Sequence, residues 1–515
     1  MKALIVVAII ILFSLLACQA LSSYQAVNIL NSGNISYMLG GGVSSQMRGV
    51  FIAQQSLSSP DFTTIANNLA TYGINLVSIE ILKNYEACYQ SVYVPLTVFP
   101  AINFAQCIAT FHAKGIQVYA HFDTMYKSYS GDGISRVAWY LPSGGNLSSI
   151  QPYFGNNGWL DIANPYAVSL IHNLITELVT NYNIDGITFD YTRWDDYMPL
   201  GNCSSGAVNY DKLQFIADTG LSNVTWPNDV VPVANGGTGL YLNLFREWRT
   251  NLVNTLVRNM TQWALAINPN LEFGASPHGY GRGGLGPAYW CYRDGQDVNY
   301  WISQGYIQWV APMIYSNVTS DYSGCVQAFE GNATGGPHGL IPICPFISNQ
   351  FTSEGAVNLT TADITRQVNA ILSAGGDGWI IWEYGGPGDG KNSGSPDITP
   401  YLAALGLPNP ATFILGNVTL QTLNSTAEQV SWTTTSAANS SVEYSPSPLY
   451  TWALAHDTQS NFNYWKITHV SGTLTANSAL TTTHTVIITG LTVPLYIHIM
   501  SGDPSGTATV YKFYR

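Results

Sequence analysis

Short apolar runs alternate with amphipathic segments between residue 48 and about residue 384. The eight runs are Arg48–Ala53, Leu76–Leu82, Ile116–Asp123, Ile184–Tyr191, Leu271–His278, Ile307–Tyr315, Gly339–Phe346 and Gly378–Tyr384. The intervening segments include the helical patterns Phe62–Tyr72, Phe104–Lys114 and Pro165–Tyr182, the last with Asn164 as its predicted N-cap. Apolar strands that alternate with helices predict a parallel sheet covered on both faces.

Eight such units predict an α/β fold, a (β/α)8 TIM barrel, over residues 47–405. A doubly wound open sheet is the alternative, and it is less favoured because eight units fit a closed barrel directly. Residues 21–46 form a lead-in segment before the barrel.

The pattern changes after Gly406, where a Leu-Pro-Asn-Pro sequence follows. Residues 410–515 contain short alternating strands and no helical pattern, for example Glu428–Thr434, Ser441–Tyr444, Thr485–Thr489 and Leu495–Met500. Roughly seven strands in such a length predict a β-sandwich. Trp432, the Val-Glu-Tyr at 442–444, the Thr-Gly-Leu at 489–491 and Tyr496 resemble a fibronectin type III module, which implies a spacer or a binding platform.

The N-terminus has the features of a secretory signal peptide over residues 1–20. Lys2 precedes an apolar run from Ala3 to Ala17, and small residues follow as a cleavage site. The run is short for a membrane span, and no later stretch has 18 consecutive apolar residues, so we expect no transmembrane segment. Lipidation of Cys18 is the alternative if the chain is bacterial. We therefore expect a secreted, extracellular protein.

Eleven Asn-x-Ser/Thr sequons support export through a glycosylating pathway. They begin at Asn34, Asn146, Asn202, Asn223, Asn259, Asn317, Asn332, Asn358, Asn417, Asn424 and Asn439. Six further cysteines predict disulfides in an oxidising compartment. Their spacing favours Cys88–Cys107 and Cys325–Cys344, which leaves Cys203–Cys291.

Composition narrows the partners of the chain. Only 9% of residues are charged and the formal net charge is −12, with 18 Lys and Arg. This excludes the basic surface that nucleic acid or an anionic membrane would need. A surface of Ser, Thr, Asn, Gln and Tyr is common in secreted proteins that handle carbohydrate, so we expect a polysaccharide or glycan partner.

Candidate chemistry lies where the predicted strands end, because functional side chains of parallel barrels sit at the carboxyl ends of the strands. Four of the eight ends carry a carboxylate: Glu80, Asp123, Asp190 and Glu383. The other candidates for substrate binding at these ends are His121, Tyr191, Arg193, Trp194, His278, Tyr315 and Trp382. Aromatic faces can stack on sugar rings, and the polar groups can bind hydroxyls.

Glycoside hydrolysis needs two carboxyl groups across one cleft. Asp190, at the end of a buried strand and beside Arg193, is the predicted nucleophile or charge stabiliser. Glu383, between two aromatic residues, is the predicted general acid, because burial raises the pKa of a carboxyl group. A structural ion pair between Asp190 and Arg193 is the alternative. Asp185, at the start of the same strand, should face the opposite end of the barrel and serve stability.

Neither a metal nor an organic cofactor is indicated. His121 and His278 lack a second histidine at metal-binding spacing, so we expect hydrogen-bonded cleft residues. The glycine-rich segments at 40–42 and 281–284 lack the strand–loop–helix context of a phosphate-binding loop.

Residues 47–385 resemble the glycosyl hydrolase-like 10 family of secreted (β/α)8 proteins. The similarity rests on Met47–Phe51, Ala113–Phe122, Leu160–Pro165, Asn181–Tyr191 with Arg193, Trp248-Arg249, Phe273–Pro277, Gln304–Ile307 and Ala311–Tyr315. The resemblance implies glycosidase activity, and some bacterial members act on the glycan strands of peptidoglycan. One departure is Gln308, where family members usually have Asp.

Two functions follow from these patterns. The first is a secreted glycoside hydrolase that uses Asp190 and Glu383. The second is a non-catalytic, glycosylated extracellular structural or carbohydrate-binding protein on a glycosidase scaffold, which the glutamine at position 308 and the many sequons make credible.

Overall fold

A computed structural model gives the fold of the chain. It describes residues 47–57, 60–83, 85–94, 96, 102–126, 159–194, 210–279, 293–316, 318–330, 342–350, 359–374, 376–385, 387, 396–406, 415–424, 426–446, 450–457, 462–469, 472–490, 495–503 and 506–514. The predicted signal peptide and lead-in segment lie outside the described residues, as do Cys203, Cys291 and the sequons at Asn34, Asn146, Asn202, Asn317, Asn332 and Asn358.

Eight parallel strands form the sheet that positions the candidate site. They are β1 (Met47–Ile52), β2 (Leu76–Lys83), β3 (Gln117–Asp123), β4 (Gly186–Asp190), β5 (Glu272–Ala275), β6 (Trp309–Val310), β7 (Phe346–Ser348) and β8 (Gly378–Trp382). Their order is β6-β5-β4-β3-β2-β1-β8-β7, and the two-residue strand Glu86–Ala87 pairs with β2. Parallel bridges between Val310 and Ile343 and between Met313 and Phe346 join the two ends of this path. The predicted α/β fold is therefore confirmed as a TIM-barrel-like parallel sheet.

Regular pairing is short at the junction of β6 and β7. The predicted runs Ile307–Tyr315 and Gly339–Phe346 yield only Trp309–Val310 and Phe346–Ser348 as strands. Pro312, Pro342 and Pro345 lie in this stretch, and proline has no N–H to donate to a ladder. Their carbonyl oxygens still accept from neighbouring strands, as Pro312 does from the amide of Phe346 at 2.9 Å.

Helices lie between most of the strands. They are α1 (Phe62–Thr71), α2 (Phe104–His112), α3 (Pro165–Asn181), α4 (Tyr210–Thr219), α5 (Leu242–Ile267), α6 (Val298–Ser303), α7 (Thr319–Glu330), α8 (Thr361–Ser373) and α9 (Thr399–Leu405). Asn164 caps α3 as predicted, because its side chain accepts from the amide of Tyr166. None of the described helices combines the length and apolar character needed to cross a membrane.

Side-chain hydrogen bonds that connect neighbouring elements lie at the amino end of the sheet. Asp185, just before β4, accepts hydrogen bonds from the amide of Val118 and from His112 Nε2, both at 2.7 Å. The next residue, Gly186, has no room for a side chain, because a Cβ there would lie 2.2 Å from the carbonyl oxygen of Glu272. Asp185 thus makes hydrogen bonds at the amino end of the sheet, as predicted, and its contribution to stability stays a prediction.

Gln308 belongs to this same structural end. Its Oε1 accepts from the amide of Phe273 at 2.7 Å, and its Nε2 donates to the carbonyl of Gly305 at 3.2 Å. The residue immediately precedes β6, so it lies at the opposite end from the strand-end carboxylates. The departure from Asp at this position therefore affects strand pairing and not the candidate site.

The C-terminal region is antiparallel. Its strands are β9 (Leu415–Asn424), β10 (Ala427–Ser445), β11 (Tyr450–Asp457), β12 (Phe462–His469), β13 (Thr473–Thr489), β14 (Leu495–Asp503) and β15 (Gly506–Tyr514). Strands β9, β10, β14 and β15 pair in that order with β13 on β10, while β11 and β12 form a separate pair. The predicted short strands Glu428–Thr434 and Ser441–Tyr444 are one long strand, whose ladder passes through register shifts near Ala438. The fibronectin type III-like sandwich stays a prediction.

The predicted disulfides are absent among the cysteines that the structure describes. Cys88, Cys107, Cys325 and Cys344 are all buried thiols, so the expected pairs Cys88–Cys107 and Cys325–Cys344 are not formed here. Burial raises the pKa of Cys344 well above its usual value. Buried thiols of this kind pack as small apolar side chains, and cysteine count and spacing do not distinguish that role from pairing.

Replacing Asp185 with Ala tests the structural role of the amino end. The change removes the acceptor for the Val118 amide and for His112, and an unsatisfied donor costs about 1–3 kcal/mol. We expect the free energy of unfolding, measured by urea denaturation, to fall by about that amount. An unchanged unfolding curve would show that Asp185 does not stabilise the sheet.

Candidate active site

Two layers of polar side chains lie at the carboxyl end of β2, β3 and β4. The register pairs Asp123 with Asp190 and Glu80 with His121. Side chains two residues apart in a strand point to the same face, so on each strand one polar residue precedes a carboxylate: Ser78 before Glu80, His121 before Asp123 and Thr188 before Asp190. The structure thus brings three of the four predicted strand-end carboxylates into one buried group, which we call the acid cluster (Glu80, Asp123 and Asp190).

Asp190 is held by two hydrogen bonds. Its Oδ1 accepts from the amide of Tyr191 at 2.6 Å, and its Oδ2 lies 3.1 Å from His121 Nε2. With Asp190 ionised, the Nε2 proton of His121 is donated to it, while Ser78 Oγ holds the other ring nitrogen at 3.1 Å. These contacts fix the orientation of the Asp190 carboxyl group at the end of β4.

Asp123 is the member of the cluster without a hydrogen-bond donor among the described residues. Its side chain is 5% exposed, and His121 Nε2 lies 3.8 Å from its Oδ1. Burial, followed by the negative charges of Glu80 and Asp190, holds the pKa of Asp123 well above its usual value. Lys83 and Arg193 act in the opposite direction without reversing the shift.

Glu80 is fixed as an ion pair. It accepts from the amide of Gln54 at 2.9 Å and from Lys83 Nζ at 2.8 Å. Burial lowers the pKa of Lys83, but the carboxylates of Glu80, Asp123 and Glu383 outweigh it and the pKa is raised overall. Lys83 therefore stays charged and holds Glu80 in place.

Glu383 lies at the end of β8 and is buried, as predicted. The side chain of Asn349 holds its backbone through two hydrogen bonds, donating to the carbonyl and accepting from the amide. Glu383 Oε1 accepts from Gln350 Nε2 at 3.3 Å. Burial and then Asp190, with a smaller contribution from Glu383, raise the pKa of Tyr315 well above its usual value. Tyr315 thus lies within the electrostatic range of both predicted catalytic carboxylates.

Three tyrosines after strand ends have left-handed backbone conformations. The φ angles are 57° at Tyr85, 46° at Tyr191 and 44° at Tyr315. A bulky side chain in this region is strained, and such strain concentrates at functional sites. Tyr85 also donates a hydrogen bond to the carbonyl of Thr124, next to Asp123.

Aromatic rings surround the carboxylates. Trp382 lies 6.5 Å from Phe51 in a stacked arrangement and 6.1 Å from Tyr315. On the other side, Tyr126 stacks on Tyr191 with centroids 4.8 Å apart. These rings offer the flat apolar faces that sugar recognition uses, and they extend the predicted aromatic set to Tyr126.

Arg193 does not pair with Asp190 within 4.0 Å, in contrast to the predicted alternative of a structural ion pair. Its guanidinium lies 5.0 Å from the ring centroids of Trp159 and Tyr191. Trp194 is fully buried and donates to the carbonyl of Arg249 at 3.1 Å. The structure therefore corrects the prediction that Trp194 contacts substrate, because its ring packs behind the site beneath Arg249.

His278 lies beside a carboxylate that the sequence analysis did not identify. His278 Nε2 is 3.5 Å from Asp294 Oδ2. Burial, with the positive charge of Arg193, lowers the pKa of His278 well below its usual value. Burial raises the pKa of Asp294 to about 7. Asp294 lies outside every predicted strand, so strand-end reasoning had no signal for it.

The described residues closest to a metal-ligand arrangement are His121, Asp123 and Asp190. Their potential ligand atoms lie within 4.8 Å of one another. The nitrogen of His121 that faces the group is already engaged with Asp190, and Lys83 and Arg193 supply positive charge nearby. We therefore interpret the three as a hydrogen-bonded acid group and not as a ligand set.

Comparisons with known proteins identify the family of the chain. The profile of the family described as glycosyl hydrolase-like 10 matches residues 46–335. The glycosyl hydrolase YngK of Bacillus subtilis (strain 168) is 21% identical over 289 residues, which are 53% of this chain and 51% of that protein. The chain thus matches about half the length of this curated relative.

Solved structures with similar folds are distant in sequence. An alpha-L-fucosidase isoenzyme 2 from Paenibacillus thiaminolyticus has a TM-score of 0.43 at 12% identity, over 70% of this chain and 48% of that one. An endo-beta-1,4-mannanase from Thermotoga petrophila has a TM-score of 0.43 at 11% identity, over 93% and 99% of the respective chains.

The raised pKa of Asp294 predicts a specific pH dependence of stability. Its pKa rises from 3.8 to about 7 on folding, so between these values the folded protein keeps a proton that the unfolded chain loses. The contribution of Asp294 to the free energy of unfolding therefore falls as pH rises from about 4 to about 7. We expect the stability of the wild type relative to Asp294→Asn to decline across this window in urea denaturation. A difference that is constant with pH would contradict the assignment.

Proposed function

The chain belongs to the glycosyl hydrolase-like 10 family, and from this premise we propose that it is a glycoside hydrolase of an extracellular or cell-wall polysaccharide. The observation that carries the proposal is the buried carboxylate of Asp190 within the acid cluster. Two hydrogen bonds, from the amide of Tyr191 and from His121, hold this carboxyl group in one orientation, and we assign it as the negative charge of the site. Such a charge is what the oxocarbenium-like transition state of glycoside hydrolysis requires on one side.

The rest of the site has the matching chemistry. A glycosidase needs a second carboxyl group to protonate the leaving oxygen; Asp123 is a buried carboxyl group beside Asp190, and Glu383 is a buried carboxyl group at the end of β8. Trp382, Tyr126 and Tyr191 supply ring faces at the same end of the sheet. Buried charge, proton donor and stacking surfaces together suit a sugar ring positioned over the ends of β3, β4 and β8.

The polysaccharide is proposed to lie outside the cell. The N-terminal apolar run and the sequons support export. Asn223 and Asn439 are exposed, so these two sequons are accessible to a glycosylating enzyme. The low content of charged residues fits an uncharged glycan chain better than a polyelectrolyte.

The alternative is a non-catalytic glycan-binding protein on the same scaffold. Its strongest support from the sequence was the glutamine at position 308. Since Gln308 bonds to the backbone at the amino end of β5 and β6, its identity has no bearing on the carboxylates at the carboxyl ends. No feature of the described residues favours the non-catalytic alternative over the hydrolase.

Replacing Asp190 with Asn tests the proposal. The variant keeps the shape of the side chain and removes the charge, so the rate should fall about a hundredfold or more. The melting temperature should stay nearly unchanged, because the carboxylate is placed for chemistry. The assay measures reducing ends released from a panel of glucans, mannans, xylans, galactans, chitin and peptidoglycan glycan strands.

Asp185→Asn is the matched control, since it makes the same chemical change at the other end of the same strand. It should lower the melting temperature while the folded protein keeps its specific activity. Full activity of Asp190→Asn would refute the role of Asp190. A wild-type protein that binds a glycan of the panel and cleaves none would support the non-catalytic alternative.

A further inference from the structure

We infer that Asp123, and not Glu383, is the proton donor of the reaction, and that the reaction retains the configuration of the anomeric carbon. The inference rests on the proposed function and names the second carboxyl group and the stereochemical course. It departs from the prediction that Asp123 only binds substrate.

The carboxyl groups of Asp123 and Asp190 lie close together. The nearest carboxylate atoms of Asp123 and Asp190 lie within 4.8 Å of one another. Retaining glycosidases place their two carboxyl groups about 5–5.5 Å apart, whereas inverting enzymes need about 6.5–9.5 Å to admit a water molecule. An upper limit of 4.8 Å between these oxygens lies on the retaining side of the two ranges and below the separation that the inverting reaction needs.

The carboxyl groups differ in their hydrogen bonds. Glu80 accepts from Lys83 and from a backbone amide. Asp190 accepts from a backbone amide and from His121. Glu383 accepts from Gln350. Asp123 has no such donor among the described residues, so it is the carboxyl group best suited to keep its proton.

Negative charges within the acid cluster repel one another. Three carboxyl groups packed at the ends of β2, β3 and β4 resist simultaneous ionisation, and the proton is held where ionisation is least stabilised. The raised pKa of Asp123 agrees with this position. The charged and titratable groups that face Asp123 among the described residues are Glu80 and Lys83 from β2, His121 from β3, Asp190 from β4, and Tyr85, Tyr191 and Arg193 from the following loops.

The reaction that we infer has two steps. An oxygen of Asp190 bonds to the anomeric carbon as the bond from that carbon to the leaving oxygen breaks, and the leaving oxygen takes the proton of Asp123. The Asp123 carboxylate then removes a proton from water as the water oxygen bonds to the anomeric carbon. The ester bond to Asp190 breaks, its electron pair returns to the carboxylate, and Asp123 again carries a proton.

The test begins with the wild-type protein and the polysaccharide that the panel identifies. Proton NMR of the first product formed should show the same anomer as the substrate linkage, before mutarotation. The opposite anomer from an active wild-type enzyme would overturn the retaining assignment and leave the proposed hydrolase intact. This measurement needs no variant and so does not depend on whether one folds.

Asp123→Asn separates the proton donor from the nucleophile. Its rate on the polysaccharide should fall at least about a hundredfold, because an unprotonated leaving oxygen departs slowly. Its rate on the matching 2,4-dinitrophenyl glycoside should fall far less, because that leaving group needs no proton. Added sodium azide should raise the rate of Asp123→Asn and yield a glycosyl azide of retained configuration. Glu383→Gln should show neither the leaving-group dependence nor the azide product.

Three results would overturn the inference. Near-wild-type activity of Asp123→Asn on the polysaccharide would exclude Asp123 as the donor, and azide rescue of Glu383→Gln would transfer that role to Glu383. Loss of wild-type activity with a chelator, restored by added Mg²⁺ or Mn²⁺, would show that His121, Asp123 and Asp190 hold a cation. A variant that folds, as judged by its melting temperature, is required for the first two readings.

Discussion

Burial of several carboxyl groups at one end of a parallel sheet is the constraint on which the site depends. Glu80, Asp123 and Asp190 lie side by side at the ends of β2, β3 and β4, where solvent does not screen their charges. The partners of the carboxyl groups differ. Lys83 donates a hydrogen bond to Glu80, whereas His121 and a backbone amide donate to Asp190. Asp123 has no comparable partner among the described residues, and burial with the neighbouring carboxylates raises its pKa. Identical side chains in different surroundings are thereby suited to the different roles that we propose for them.

The two ends of β4 show how the sheet separates stability from chemistry. Asp185 at the amino end accepts hydrogen bonds from a backbone amide of the neighbouring strand and from a histidine. Gln308, just before β6, likewise accepts from a backbone amide of the strand beside it. Asp190 at the carboxyl end meets His121 and its own following amide, beside a tyrosine in the left-handed region. Substitutions at the amino end therefore change folding, and the carboxyl end can vary in its chemistry on an unchanged scaffold.

Sequence periodicity was sufficient for the parallel sheet, because buried strands read as continuous apolar runs and Asn164 and Pro165 mark a helix start. It failed where prolines shorten the β6–β7 ladder and where β10 continues through Ala438, since both depend on pairing between distant segments. Strand-end reasoning identified Asp190 and Asp123 as site residues. It could not rank their roles, because the rank depends on donors from other elements, such as Gln54, Ser78 and Gln350. The sequence next to Asp294 and next to the buried cysteines does not indicate how these side chains are surrounded in the fold.

The central claim is that Asp190 bonds to the sugar during the reaction. Incubation with a 2-deoxy-2-fluoro glycoside that has a dinitrophenyl leaving group, in the sugar that the enzyme cleaves, slows release of the covalent intermediate. Mass spectrometry of the intact protein and of its peptides then locates the label. The account predicts one fluoroglycosyl group per chain, on the peptide that contains Asp190 and esterified to that residue. A label on Asp123 or Glu383, or an active enzyme that carries no label, would contradict it.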